Sequence, residues 1–158
     1  YGHSWISVMP TNLYGPDDNF NPDTSHVLPA MIAKFHKAKL SGEPYVNLWG
    51  SGKPRREFLH VDDLANAILM LAMSYNDAIP INIGSGEDLQ ISELAHMISG
   101  IVGYPGEIKW NTEMPDGTPR KLLDISKISA LGWQPTIPLA DGIQSVYESY
   151  CEGQVAKQ

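Results

Sequence analysis

Thr11 and Asn12 are small hydrogen-bonding residues set just behind a short apolar run, Trp5, Ile6, Val8 and Met9, that reads as a strand. Pro10 is expected to end that run, because proline cannot donate to a sheet ladder. Open α/β sheets hold ligands beyond the carboxyl ends of their strands, so Thr11 and Asn12 stand where a small molecule could sit. The stretch from Asn12 to Pro16 reads equally as an ordinary turn, since Asn, Gly and Pro are the usual turn residues. Behind it comes His26, whose neutral imidazole can exchange protons near neutral pH and act as a general acid or base. The plainer alternative is a capping or exposed histidine, and His3, His36, His60 and His96 keep that reading.

Two further groups carry possible chemistry. Trp49 offers a flat face to a base or sugar and Arg56 a forked donor set for a phosphate, although a core tryptophan beside a surface arginine would look the same in sequence. Asp116, with Arg120 and Lys121 close behind, lies in a loop rich in Asp, Gly and Pro. A carboxylate there could hold ribose or sugar hydroxyls and the basic groups a diphosphate, or the loop could simply be solvated. Lys34 by itself is a solvated lysine. Paired Asp62 and Asp63 suggest metal or acid chemistry at first sight, but capping of the helix that follows explains them better. No metal site is expected.

The elements that must position these groups follow from periodicity. Val27, Leu28, Met31, Ile32, Phe35 and Ala38 recur at three- and four-residue steps, which predicts an amphipathic helix from about His26 to Leu40, with Pro29 in its first turn and Ser41-Gly42 ending it. Tyr45 to Trp49 and Arg56 to Val61 read as strands joined by the turn Gly50 to Pro54, a hairpin. Leu64 to Ala72 is apolar on most faces and is expected to be buried. Pro80 to Gly84 is a short strand, and Gly84-Ser85-Gly86 a turn without the spacing of a phosphate-binding fingerprint. A helix from Ile91 to Val102 follows the weak N-cap Gln90. Then come a strand at Glu107 to Trp110, a loop at Asn111 to Pro119, a short helix capped by Asp124 and ended at Leu131-Gly132, and a last helix from Pro138. Its stripe of Leu139, Ile143, Val146, Tyr147 and Tyr150 belongs to the core, and Cys151 is a bystander.

The 158 residues suffice for one domain with its own core. Eleven Lys and Arg against eighteen Asp and Glu give a net charge of −7, which argues against bulk neutralisation of nucleic-acid phosphates and leaves anions to local basic clusters. No apolar run approaches a membrane span, no signal segment opens the chain, and one cysteine builds no internal disulfide; together these predict a cytoplasmic protein. The opening Tyr1-Gly2-His3, without an initiator methionine, reads as a cut from something longer.

Several motifs resemble one family. Pro10-Thr11-Asn12-Leu13-Tyr14-Gly15-Pro16, Asp18-Asn19-Phe20, Ser25-His26-Val27 and Pro115-Asp116-Gly117-Thr118-Pro119-Arg120-Lys121 are similar to the GDP-L-fucose synthases, members of the extended short-chain dehydrogenase/reductases. Arg56-Glu57-Phe58-Leu59-His60-Val61-Asp62-Asp63 is shared more widely among nucleotide-sugar enzymes of that class. The resemblance runs over nearly all the chain and corresponds to the carboxyl-terminal half of the family. It implies an α/β fold: the last part of a Rossmann sheet plus the small α/β substrate-binding lobe.

It also implies a function. The family epimerises C3 and C5 of GDP-4-keto-6-deoxy-D-mannose and reduces C4 with NADPH, as a homodimer. By resemblance, Pro10, Thr11, Asn12, Leu13 and His26 border NADP(H), His26 is the epimerising acid/base, and Lys34, Trp49, Arg56 and Asp116 hold the GDP-sugar. Alternatives are another nucleotide-sugar epimerase or dehydratase, or a noncatalytic nucleotide-sugar-binding module. The redox group is missing: the residues four after Tyr1, Tyr14, Tyr45, Tyr75, Tyr104, Tyr147 and Tyr150 are Trp5, Asp18, Trp49, Ile79, Ile108, Cys151 and Gln154, none of them lysine. No glycine fingerprint opens a βαβ unit either, so this chain alone is expected to be inactive in the redox step.

Overall fold

A computed structural model describes residues 3, 5–21 and 24–155. Tyr1, Gly2 and Ser4, ahead of the opening strand, and Pro22 and Asp23, within the turn-rich stretch before His26, lie outside the described residues. The fold is mixed α/β, as expected.

The opening strand runs further than its sequence suggests. β1 (Val8–Pro10) and β2 (Asn12–Tyr14) are separated only by Thr11. β1 pairs in parallel with β6 (Ile81–Ile83), and β2 in parallel with β5 (Phe58–His60). Pro10 is the last residue of β1, as expected, but the chain does not turn there, and β2 begins two residues on. The carbonyl of Ser7 accepts from the Ile81 amide and the Thr11 amide donates to the Ile83 carbonyl, so odd-numbered residues face β6. The N–H that Pro10 lacks would point to the opposite edge, where no β6 bond is lost.

β2 and β5 carry core on both faces, as parallel strands do. Tyr14 and Phe58 join one apolar cluster, which is built from α1 (Val27–Ser41), α3 (Ile91–Val102), α5 (Leu139–Val155) and β3 (Tyr45–Trp49). Leu13 and Leu59 join the other, with α2 (Val61–Ser74), β6 and α4 (Ser126–Ala130). The fully buried Leu28, Ile32, Phe35, Ile98 and Ile143 sit in the first cluster; Leu71, Ile81 and Ile83 sit in the second.

The expected hairpin does not form. β3 pairs in parallel with β8 (Glu107–Asn111), Tyr45 opposite Glu107 and Trp49 opposite Asn111. The chain leaves β3 through Gly50 and Gly52, both at positive φ, and enters β4 (Arg55–Arg56). β4 lies between β7 (Leu89–Gln90), antiparallel, and β9 (Arg120–Lys121), parallel. The glycine-rich turn thus transfers the chain between sheets, and the Gly50 amide is taken by the Asn111 carbonyl at 2.9 Å.

The helix ends correct the sequence in two places. His60, not the aspartate pair, caps α2: its Nδ1 accepts from the Asp62 amide at 3.2 Å. Asp63 is buried instead and accepts from the Thr136 amide and hydroxyl and the Ile137 amide, at 2.8–3.0 Å, tying α2 to the approach to α5. At α3 the weak Gln90 is compensated by Glu93, whose carboxylate accepts from the Gln90 amide at 2.6 Å. At α1 the signals hold, with Pro29 in the first turn and the end at the left-handed Gly42; at α4 the N-cap position is Ile125, and Asp124, one residue earlier, accepts from the Ser126 amide.

α2 also departs from the expectation of full burial. Ala67 and Leu71 are buried, but Ile68, Leu69 and Met73 are exposed. Among the described residues no helix is long and apolar enough to cross a membrane.

Candidate functional site

The amino end of α1 is aimed between two cavities. The larger, about 670 Å³, is lined by Thr11, Asn12, Leu13 and Tyr14 from β2 and its approach, by Asp18, by His26, Val27 and Leu28 at the start of α1, and by Phe58 and Val61. The smaller, about 180 Å³, is lined by Val27, Trp49, Pro54, Arg56, Ile91, Pro115 and Asp116 among others. Val27 lines both and stands at their junction, while His26, the residue before it, lines the larger one.

His26 is free of structural duty. It occupies the N-cap position of α1 with extended backbone, φ −71° and ψ 167°, but its side chain makes no capping bond, and the residue is exposed. The capping alternative therefore does not describe it. Tyr14, on the wall of the same cleft, is buried, and that burial, reinforced by Asp63 and Asp141, pushes its phenol well above the ordinary tyrosine range. It stays protonated and cannot serve as a base at neutral pH.

Thr11 and Asn12 are committed to scaffolding through their donors. The Asn12 amide nitrogen donates to the Glu57 carbonyl at 2.8 Å and the Thr11 hydroxyl to the same oxygen at 3.4 Å. Both residues line the cleft nonetheless. Pro10 does not line the cavity.

Trp49, Arg56 and Asp116 do come together in the smaller cavity. β3 alternates exposed and buried residues, which puts Val46 and Leu48 in the core and turns Trp49 outward at 68% exposure, so it is not a core tryptophan. Lys34 reaches from α1 to 5.7 Å from the Trp49 ring centroid, a cation–π distance. The Arg56 Nη1 donates to the Arg55 and Thr118 carbonyls, at 2.8 and 2.5 Å, which fixes the plane of the guanidinium. Among the described residues no acceptor takes Nη2 or Nε, so those donors are available to an anion.

Asp116 is occupied. Its two oxygens accept from the Ser51 amide at 2.7 Å and the Ser51 hydroxyl at 2.6 Å, and these bonds hold its carboxyl below the usual carboxylate range. It latches the 115–118 loop to the Gly50–Gly52 turn over the cavity, and a side chain at Gly50 would strike its Oδ1. Arg120 does not reach either cavity: it shares Asp88 with Arg55, and the two guanidiniums, Arg120 first, depress the Asp88 carboxyl. Lys121 is exposed on β9.

One functional position escaped the sequence. Glu57 is fully buried between Arg56 and Phe58, and its carboxylate accepts from the Gly86 amide at 2.7 Å and the Leu123 amide at 3.1 Å. Its carbonyl is the acceptor of Thr11 and Asn12. The residue thereby joins the floor of the larger cleft to the strand that carries Arg56. Glutamate within a strand run of Arg, Phe, Leu and His was the only available hint.

Comparison with known proteins agrees with this architecture. Residues 1–84 match the model of the NAD dependent epimerase/dehydratase family. GDP-L-fucose synthase 1 of Arabidopsis thaliana is 52% identical over 150 residues, covering 94% of this chain and 46% of that protein. The GDP-L-fucose synthase of Escherichia coli strain K12 is 47% identical over 163 residues, 98% of this chain and 51% of its own. The structure of a GDP-L-fucose synthetase from Naegleria fowleri bound to NADP superposes with a TM-score of 0.89 at 32% identity, over 95% of this chain and 47% of that one. The chain spans about half the length of these relatives. It belongs to the NAD dependent epimerase/dehydratase family, the extended short-chain dehydrogenase/reductases, and its sequence groups with the GDP-L-fucose synthases of that family.

Proposed function

We propose that this chain is the carboxyl-terminal, substrate-binding portion of a GDP-L-fucose synthase. In that reading the whole protein converts GDP-4-keto-6-deoxy-D-mannose to GDP-L-fucose by 3,5-epimerisation and NADPH-dependent 4-reduction. The observation that carries it is the position of His26, without a capping bond in a largely apolar cleft that meets, at the neighbouring Val27, a second cavity lined by Arg56 and Trp49, with Lys34 beside the Trp49 ring.

The chemistry fits that division. The 4-ketone acidifies the protons on C3 and C5, so an imidazole beside the sugar can withdraw and return them at both carbons. Arg56 offers its free Nη2 and Nε to the diphosphate, Trp49 offers a flat face, and Lys34 adds a cation beside it. Asp116 shapes the cavity through Ser51.

The larger cleft suits the nicotinamide end of NADP(H): Leu13, Tyr14, Val27 and Phe58 give walls for a flat ring, Thr11, Asn12 and His26 form the polar border, and Pro10 leads the chain into it from β1. NADPH, when bound, supplies the hydride for C4. No Lys or Arg lines this cleft among the described residues, so the cofactor phosphates fall to residues outside this chain, as do the catalytic tyrosine and lysine and the surfaces of a homodimer. Such an enzyme would work in the cytoplasm.

The test is NADPH oxidation by the full-length protein with GDP-4-keto-6-deoxy-D-mannose, the product identified by NMR, and with UDP- and dTDP-4-keto sugars beside it. GDP-L-fucose is the expected product; no turnover of any GDP-sugar ketone would overturn the reading. In the same assay Arg56→Ala is expected to raise KM for the GDP-sugar about ten- to hundredfold, the loss of one or two charge-assisted hydrogen bonds, with a smaller change in kcat. An unchanged KM would remove Arg56 from the diphosphate site.

A further inference from the structure

The catch that closes the smaller cavity is built from groups a nucleotide would need. Pro115, Asp116 and Gly117 line that cavity together with Trp49 and Arg56. Asp116 reaches to the Gly50–Gly52 turn, where its Oδ1 takes the Ser51 amide and its Oδ2 the Ser51 hydroxyl. The same hydroxyl oxygen accepts from the Lys53 amide at 3.2 Å, which fixes the hydroxyl from both sides. Thr118 holds the other end of the segment, its carbonyl taking Arg56 Nη1 at 2.5 Å. Gly117 lies between the two ties, so close to the unpaired Nη2 of Arg56 that a Cβ there would stand 3.0 Å away.

Latched in this way, the cavity is too small for its ligand. It measures about 180 Å³, whereas sites for drug-sized molecules run from about 300 to 1,000 Å³, and a guanosine diphosphate is a molecule of that class. A phosphate approaching Nη2 also meets Gly117. No buried side chain holds the segment down: Pro115, Asp116, Gly117 and Thr118 are all exposed, so lifting them uncovers no core. The Ser51 bonds keep the Asp116 carboxyl below the usual carboxylate range, so near neutral pH a competing hydrogen-bond donor, and not protonation, releases the catch.

We infer that Ser51 is a positioning residue that gates the GDP-sugar site: it holds the 115–118 segment shut through Asp116, and an incoming guanosine diphosphate opens the segment by offering its ribose hydroxyls to Asp116 in place of Ser51. The inference rests on the reading above, in which Arg56 and Trp49 receive the nucleotide. It reconciles an Asp116 whose two oxygens are both taken with the place of that residue in the substrate cavity. A site that is open in only a fraction of the molecules binds its ligand more weakly by that fraction. Loosening the catch therefore speeds entry and tightens binding, whereas removing a ligand contact weakens it.

The test measures association and dissociation of GDP on the full-length protein by surface plasmon resonance, for the native sequence, Ser51→Ala, Ser51→Thr and Asp116→Ala. Ser51→Ala is expected to bind GDP about three- to tenfold faster and more tightly by a similar factor, the range for one exposed hydrogen bond. Ser51→Thr keeps the hydroxyl and is expected to match the native rates. Asp116→Ala is expected to associate faster as well but to bind more weakly, because the ligand loses its carboxylate along with the catch. An unchanged association rate in Ser51→Ala overturns the gate. Weaker binding in Ser51→Ala overturns it too, and makes Ser51 a fixed support that keeps Asp116 ready for the ligand. A native protein that binds no GDP sinks the functional reading and the gate with it; native binding that Ser51→Ala leaves unaltered sinks the gate alone.

Discussion

His26→Gln in the full-length protein is expected to remove epimerisation by about 10²- to 10⁴-fold, the range for losing a positioned acid/base group. The variant is informative because the ring supports nothing else: it makes no capping bond and is exposed, so glutamine should leave stability within about 0.5 kcal/mol. Glutamine also keeps a polar group in the larger cleft while abolishing the proton exchange. The direct readout is exchange of the C3 and C5 hydrogens of the 4-keto sugar in D2O, followed by NMR. Exchange should fall while NADPH still binds, and any slow reduction should deliver the hexose uninverted at C3 and C5. Full exchange in His26→Gln would return the residue to an exposed helix-end histidine and leave the family assignment untouched.

How far the sequence foretold this arrangement depends on the range of the interaction. α1 and α5 are local products of apolar spacing with Pro near the start or Gly at the end, and both lie where that spacing puts them. The Glu93 cap of α3 is equally local and could have been read from a glutamate three residues after Gln90. The partnership of β3 with β8 is different. Two strands about sixty residues apart pair in parallel, and a Gly-rich turn that resembles a hairpin loop supplied a false local answer. α2 misled for a related reason: its composition is apolar on most faces, but among the described residues only the side carrying Ala67 and Leu71 is covered.

The site divides along the same line. The start of α1 placed His26 beside the strand end by periodicity, and the outward turn of Trp49 is already present in the alternation of β3. The meeting of Trp49 with Arg56 was legible only through resemblance, because the two stand on strands of different sheets and share a cavity only in the packed fold. Neither the Ser51–Asp116 latch nor the Arg55–Asp88–Arg120 bridge leaves a local mark, each closing a gap of more than thirty residues. Long-range polar closures of this kind come from the packed fold, which brings the partners within reach after the elements have formed.

Glu57 is the sharpest case and carries the largest expected effect on stability. A carboxylate with no exposure is tolerated only where hydrogen bonds replace its water, and here two backbone amides do so. Glu57→Ala would leave the Gly86 and Leu123 amides without an acceptor and open a void against Gly84, where even a Cβ would collide with Oε1. The expected cost is about 3–5 kcal/mol, two unsatisfied donors at about 1–3 kcal/mol each with some relief from removing a buried charge. Glu57→Gln keeps the shape but turns an N–H₂ toward one of those amides, so it should cost about 1–3 kcal/mol. The urea midpoint of the full-length protein measures both, and Glu57→Gln within about 0.5 kcal/mol of the native protein would show that the charge contributes nothing to the clip. Because the Glu57 carbonyl also anchors Asn12, Glu57→Gln should weaken NADPH binding under conditions where the protein is still folded. A variant that lost only stability would confine Glu57 to joining the turn at Gly86 and the chain at Leu123. Loss of both would make it the residue through which the cofactor floor and the Arg56 strand keep their spacing.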